Sequence, residues 1–574
     1  MRSIYVAILA SVLFIGWFSV STKGLSLREL AAGSTGIFAF LAVMQLVLIC
    51  LLTPVFMSGA IAKEANPQTW DILLSTPMTP LQIVLGNLFG RLFFIIALLL
   101  GSLPLMIVTQ FFGGVPLNTI FLTQIVAVCL AILIAGSAIT MSVTRTAGRK
   151  AAVSFFVVTV FYLIITFVLD NTFRTPISST SSAQWTTFLT PFNPFLVLEA
   201  LLHPTSYVIP DSTTSPWPIG WIITNPVSAW CWITTISSTI LITWSSLNVR
   251  KLGNREVANR WWKRIATNDN GSMVTRAVSG NPIAWRERVT RHRNIGSLLG
   301  QWGFAAISIL VFIVITTLYA TELMTPDTYR LYIIVIVCSE IVIVTFAAIS
   351  LSASAISKER EDGSLDLLLT TSITPEIYLR GKVHGLAMHL MPMVLAPCLT
   401  MIGVALLVLI DSESAVVTDQ LVQSKAGSVG FAIPLALYIP AILTPVVMLP
   451  YISFCITLGL LWSMRSKGSI VSIVFTLILV FVVTAGISGC MIPIHGIGVA
   501  GSFFSCLSPI ESVIITLSSA KVIPSVFNYG VETANVMLGF ASIVSCIFWL
   551  LISWGLLRSM SSSFVTTVRR LAGT

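Results

Sequence analysis

The sequence predicts an all-α polytopic membrane protein of about twelve transmembrane helices, arranged as two parallel six-helix repeats. Three observations predict it. The chain of 574 residues is 56% hydrophobic and only 9% charged, with a mean hydropathy of +0.94. A shift of 295 residues aligns two segments without a gap. The basic residues, finally, fall predominantly on one side of the predicted spans.

Apolar runs of spanning length lie near 4–20, 34–60, 83–111, 119–142, 151–169 and 227–248 in the first half. In the second half they lie near 298–320, 331–355, 383–410, 431–463, 469–490 and 536–558. The first run resembles a signal peptide, with Arg2 ahead of an apolar stretch. It reads as a retained span, because the repeat supplies a counterpart near 298–320. The domains follow: residues 1–249 form one six-helix half, 250–295 a basic linker with an amphipathic helix, and 296–574 the second half.

With the N-terminus placed in the cytoplasm, 26 of the 32 Lys and Arg residues fall on cytoplasmic segments, 11 of them in 250–293. Both termini are therefore expected inside, as in the inner membrane of a bacterial cell. The net charge of +10 reflects this bias and calls for no nucleic-acid partner; no such module is visible. The lipid bilayer is the partner that composition demands.

Nine cysteines lie mostly inside apolar runs with no CxxC pair, so they read as small hydrophobes, with a Cys490–Cys506 disulfide left open. The five histidines are dispersed. No HExxH, no Ser/His/Asp elbow and no GxxxxGK[ST] is present; Gly381-Lys382 is followed by Val383. No catalytic residue, metal ligand or cofactor is expected, and any ATP hydrolysis must come from another subunit.

The aligned segments are "IAKEANPQTWDILLSTPMTPLQIVLGN" (61–87) and "ISKEREDGSLDLLLTTSITPEIYLRGK" (356–382). Shared positions include Lys63/Lys358, Glu64/Glu359, Asp71/Asp366, Thr76/Thr371, Thr79/Thr374, Pro80/Pro375, Gly86/Gly381 and Gly90/Gly385. Trp70, Leu73 and Leu74, like Leu365, Leu368 and Leu369, make one apolar stripe of a short helix. Acids cluster at its start, and Thr76-Pro77 and Thr374-Pro375 stop or turn the chain. Such a segment is either an interfacial connector with solvated charges or a docking element, and its occurrence twice at one topological position favours docking.

These segments resemble the hallmark of ABC-2 type transporter permeases, the membrane subunits of type V ABC exporters, which reads roughly Glu-x-Gly-Thr-x-Glu-Leu-Leu-x-Thr-Pro and ends in Gly-Lys. The second copy matches at Glu361, Gly363, Ser364, Asp366, Leu367, Leu368, Thr371, Gly381 and Lys382, with Ser372 in place of Pro. The first keeps Thr76, Pro77 and Gly86, but has Gln68 for the Gly and Asn87 for the Lys. The resemblance implies two halves fused in one chain and a coupling helix in each. It implies ATPase coupling through Glu64, Asp71, Thr76 and Pro77 in the first, and Glu359, Glu361, Gly363, Asp366 and Thr371 in the second. Two copies of a separate ATP-binding cassette subunit would drive alternating access, with the first copy coupling more weakly.

Family members place re-entrant helices between spans five and six; "TPFNPFLVLEALL" (190–202) and "CLSPIESVIITL" (506–517) suit these, or ordinary interfacial helices. "GNPIAWRERVTRHR" (280–293) resembles the family's elbow, with Asn281 as N-cap, Pro282 as first helical residue, Trp285 and Val289 toward lipid and Arg286, Arg288, Arg291 and Arg293 toward headgroups. The first half has no counterpart: either the halves have diverged or the start codon lies upstream.

Glu340 sits mid-span, where a carboxylate costs about 2.5–3.5 kcal/mol on insertion scales. Gln45 occupies the matching position, 295 residues earlier. Both are candidates for the translocation pathway, or for hydrogen bonds between helices. An ion-coupled secondary transporter and a non-transporting scaffold with the permease fold are the alternative readings. The substrate is not legible.

Overall fold

A computed structural model describes residues 27–57, 77–110, 115–144, 148–177, 183–210, 216–249, 281–292, 295–361, 363–365, 373–410, 416–417, 421–424, 427–430, 433–466, 468–491, 506–522 and 531–572. The chain divides into two compact units, Met1–Ser272 and Met273–Thr574. Among the described residues ten helices are long and apolar enough to cross a membrane. They coincide with ten of the expected spans. The run near 4–20 lies outside the described residues. The run near 469–490 is helical, but its described apolar stretch, Ser469–Thr484, is shorter than a span. Helices dominate because a spanning backbone in lipid has to satisfy its own N–H and C=O groups.

The first unit contains α1 (Leu27–Met57), α2 (Pro80–Gln110), α3 (Leu117–Thr144), α4 (Gly148–Phe173), α5 (Pro194–Leu202), α6 (Ile219–Thr224) and α7 (Pro226–Val249). Pro80 opens α2 because its missing N–H would be unsatisfied there in any case. Thr79 completes a capping box: its hydroxyl accepts from Gln82 N at 3.3 Å, and Gln82 Oε1 accepts from Thr79 N at 2.9 Å. The α3–α7 seam is built from small and polar residues. Gly136 lies against Ser238, Thr140 bonds Ser245 at 2.9 Å, and Trp230 Nε1 donates to Val126 C=O at 3.3 Å. Lipid gives apolar side chains no reason to leave it for one another, so close backbone approach and interhelical hydrogen bonds hold such a seam.

Between α4 and α7 the chain forms β1 (Gln184–Trp185) and β2 (Tyr207–Val208), paired in parallel with Gln184 opposite Tyr207. A 3₁₀ turn over Thr190–Phe192 leads into α5, whose N-cap Asn193 accepts from Phe195 N. The expected helix at 190–202 thus forms over Pro194–Leu202, with Leu196, Val197, Leu198 and Ala200 buried.

The second unit contains α8 (Pro282–His292), α9 (Ile295–Ala320), α10 (Pro326–Ser352), α11 (Ala355–Glu361), α12 (Pro375–Ile410), α13 (Tyr438–Ile442), α14 (Thr444–Arg465), α15 (Ser469–Met491), α16 (Pro509–Val522) and α17 (Val531–Ala572). Thr325-Pro326 and Thr374-Pro375 open α10 and α12 in the same way that Thr79-Pro80 opens α2. Thr374-Pro375 is therefore the start of a membrane helix as well as a turn.

The span expected at 431–463 begins later, at Thr444. Residues 433–434 instead form β6, paired antiparallel with β3 (Val416–Val417), beside a hairpin of β4 (Leu421–Ser424) and β5 (Gly427–Gly430). Pro434, Pro440 and Pro445 each lack a backbone donor, which prevents an unbroken helix from starting earlier. Helix α17 has 42 residues, about 63 Å at 1.5 Å per residue, and so outruns the expected 536–558 span. Cys506 is a free, buried thiol, whereas the Cys490 side chain lies outside the described residues.

Candidate functional site

The candidate site is the entry to the repeated segment of the second unit. Helix α11 leads into it, tied to α14 by reciprocal caps. Ser463 Oγ accepts from Ile356 N at 3.0 Å and Ser357 N at 2.9 Å, supplying the acceptor that the start of a helix lacks. Arg360 in turn donates to the Met464 and Ser466 carbonyls, at the end of α14. Gly363 then turns the chain with φ +69°, a left-handed conformation that costs other L-residues about 1–2 kcal/mol. This accounts for glycine at that place of the motif, where the first copy has Gln68.

Beneath this turn lies a buried charge cluster. Lys382, in the second turn of α12, donates to Glu287 of α8 and, at 2.7 Å, to Glu359 of α11. Tyr378 OH donates to Glu359 Oε2 at 2.5 Å, and Arg286 lies 3.7 Å from Glu359 Oε1. The Tyr378 ring packs on Phe564 of α17, centroids 5.5 Å apart. Four elements thus meet around one lysine that is 2% exposed. A buried ammonium is tolerable only when paired and hydrogen-bonded, and here two carboxylates answer it.

Helix α8 reaches the cluster because α12 offers a smooth face. A Cβ at Gly381 would lie 2.8 Å from the Ile283 Cβ, and one at Gly385 would lie 2.8 Å from the Glu287 Cβ. Asn281 caps α8 as expected, accepting from Ile283 N at 2.9 Å, and its Nδ2 donates to Ile377 C=O at 2.8 Å. The face of α8 formed by Ile283, Ala284 and Glu287 is buried, Arg286 is exposed and Trp285 is half-buried; the Val289 side chain lies outside the described residues.

Of the other expected coupling residues, Glu64, Asp71, Thr76, Asp366 and Thr371 lie outside the described residues, and so does the Glu361 side chain. Pro77 lies in a bend ahead of α2. Glu359 is turned inward onto Lys382 and Tyr378 and is not a solvated charge.

Gln45 and Glu340 are both buried, each bonded within its own unit. Gln45 Nε2 donates to Gln124 Oε1 at 2.9 Å, while Gln124 Nε2 also reaches Met106 Sδ at 3.3 Å, joining α1, α2 and α3. Glu340 Oε1 accepts from Ser308 Oγ at 2.5 Å and Oε2 from Thr400 Oγ1 at 3.5 Å, joining α9, α10 and α12.

A further network escaped sequence reasoning. Asp170, at the end of α4, accepts from Thr187 Oγ1 at 2.5 Å, Tyr207 OH at 3.0 Å and Arg174 Nε at 2.9 Å. Arg174 also grips Glu199 of α5 with both terminal nitrogens and lies 4.0 Å over the Tyr207 ring. Burial first, and the Asp170 carboxylate second, raise the Tyr207 hydroxyl above its ordinary pKa. The i, i+4 pair Asp170/Arg174 at the end of an apolar run was the available signal.

Residues 3–247 match the family model described as ABC-2 family transporter protein. No curated protein and no solved structure matches the chain. The match takes in α1 to α6 and nearly all of α7, and stops before the basic linker. Residues 3–247 are thus similar to ABC-2 family transporter proteins, within a multi-pass membrane chain that carries ten membrane-length apolar helices along its described length.

Proposed function

We propose that this chain is the membrane subunit of an exporter with both six-helix halves fused, driven by two copies of a separate ATP-binding cassette subunit. Its ends lie in the cytoplasm, and segments 61–87 and 356–382 receive the ATPases. ATP-driven closure of those subunits pushes the segments and rocks the halves between inward- and outward-facing states. The observation that carries this reading is the anchoring of α11. A short helix fixed by reciprocal caps to α14 and by a charge cluster to α8 and α12 passes a push at its far end into the bundle. Glu359 contributes by position, holding the segment to the membrane helices, while Glu361, Asp366 and Thr371 meet the partner. Gln45 and Glu340 act as polar fasteners beside the pathway.

The test is reconstitution of the full chain with the ATP-binding protein that co-purifies with it. The expected result is two ATPase copies per chain and hydrolysis that Asp366→Lys depresses together with ATPase recovery. A chain that retains no ATP-binding protein, or a reversal that leaves recovery and hydrolysis unchanged, overturns the assignment.

A further inference from the structure

The first copy of the repeat carries different residues at two positions of the Lys382 cluster. The position matching Lys382 is Asn87, which carries no charge, and that matching Tyr378 is Ile83, which has no hydroxyl. Asn87 Nδ2 donates to the Ile83 carbonyl, inside its own helix. The glycines that admit α8 in the second unit are present in the first, yet no described residue lies within 4 Å of a Cβ built at Gly86 or Gly90.

We propose that Lys382 is a positioning residue that links the 356–382 segment to the amphipathic helix α8. The inference rests on the permease reading above. Three features carry it. Lys382 is the only cation among the described residues that bonds both Glu287 and Glu359. Its ammonium is held from α8 on one side and from α11 on the other, so neither helix shifts without dragging or breaking an ionic bond. The bare faces of Gly381 and Gly385 let α8 sit close enough for Glu287 to reach. Displacement of α11 by a docked ATPase therefore moves α8, which lies just ahead of α9.

Amide hydrogen exchange on the full chain, bound to its ATPase subunits in lipid nanodiscs, tests this. Exchange is compared with and without a non-hydrolysable ATP analogue. In the wild type, peptides covering 364–374 and 282–292 are expected to respond together. In Lys382→Met the response of 364–374 persists and that of 282–292 is lost; Lys382→Arg restores it. Asn87→Leu leaves both responses in place. If Lys382→Met loses protection throughout α12, Glu287→Gln, which spares the Lys382–Glu359 pair, gives the same reading. A 282–292 response that survives both Lys382→Met and Glu287→Gln, or that Asn87→Leu abolishes, overturns the inference. A wild-type chain that binds no ATPase, or whose 364–374 segment ignores the nucleotide, fails the permease reading first.

Discussion

Gly86 and Gly90 in the first unit match Gly381 and Gly385 in the second, yet the second pair carries a docked helix and the first faces no described residue within 4 Å. The polar residues around them differ in the same sense. In the second turn of α12 a buried lysine binds two carboxylates, whereas three turns into α2 Arg91 donates to the Phe56 carbonyl at 2.6 Å, near the end of α1. Among the described residues of the first unit a buried ion pair lies elsewhere, at Asp170 and Arg174, where the chain leaves α4. The repeat has kept the devices that shape the backbone, namely the Thr-Pro helix starts and the bare glycine faces. It has rewired the side chains that join one helix to another. Backbone devices serve any membrane helix, while ionic contacts answer to whichever helix lies alongside.

The strongest way to break this comparison is to remove the charge network of the first unit. Asp170→Ala strips Thr187, Tyr207 and Arg174 of an acceptor and leaves Arg174 with Glu199 as its one carboxylate partner. Losing one partner of a buried pair costs about 3–5 kcal/mol. A large drop in melting temperature of the purified protein is expected. A variant that melts with the wild type would show the network to be idle.

The glycines sharpen the comparison at a smaller scale. Gly381→Ala drives a methyl into Ile283, an overpacking that costs about 1–3 kcal/mol. Gly86→Ala meets no described atom and gains helix propensity of about 0.5–1 kcal/mol. The first variant should melt below the wild type and the second at or above it. Equal losses would mean that the two glycine faces are occupied alike.

Much of this was legible in the sequence. Long apolar runs fix the helices because lipid leaves the backbone no other partner, and Thr374-Pro375, read from sequence as a stop or turn, proves to open a helix as Thr79-Pro80 and Thr325-Pro326 do. Asn281-Pro282 likewise announces α8. Pairings between distant side chains were not legible. Lys382 and Glu287 are 95 residues apart, and nothing in either local pattern points to the other. Glu359, read as a surface charge, is turned inward because Lys382 lies beneath it. The entry to α14 was misplaced because the apolar residues around Pro434, Pro440 and Pro445 outweigh them in a hydropathy window, which carries no record of the donors these prolines lack.

The smallest expected effect falls on the two mid-span polar residues, and it separates an ATP-driven permease from a proton-coupled carrier. Gln45 holds Gln124 with a carboxamide; Glu340 holds Ser308 and Thr400 with a carboxyl group. Glu340→Gln keeps an acceptor for Ser308 and offers Thr400 an amide donor, so it should cost under about 1 kcal/mol, near the net worth of one hydrogen bond. Glu340→Leu leaves Ser308 Oγ without that acceptor, a loss of about 1–3 kcal/mol, although Thr400 retains the Ala396 and Pro397 carbonyls. If the carboxyl group serves only as a fastener, the Gln variant transports nearly as well as the wild type and shows the same pH profile, because the first unit already does that work with an amide. If it carries a proton during the cycle, the Gln variant folds normally but loses transport and pH dependence together, since a carboxamide cannot titrate. ATP-dependent export measured across pH for both variants decides between them, and a well-folded but inactive Glu340→Gln would overturn the fastener role assigned to this residue.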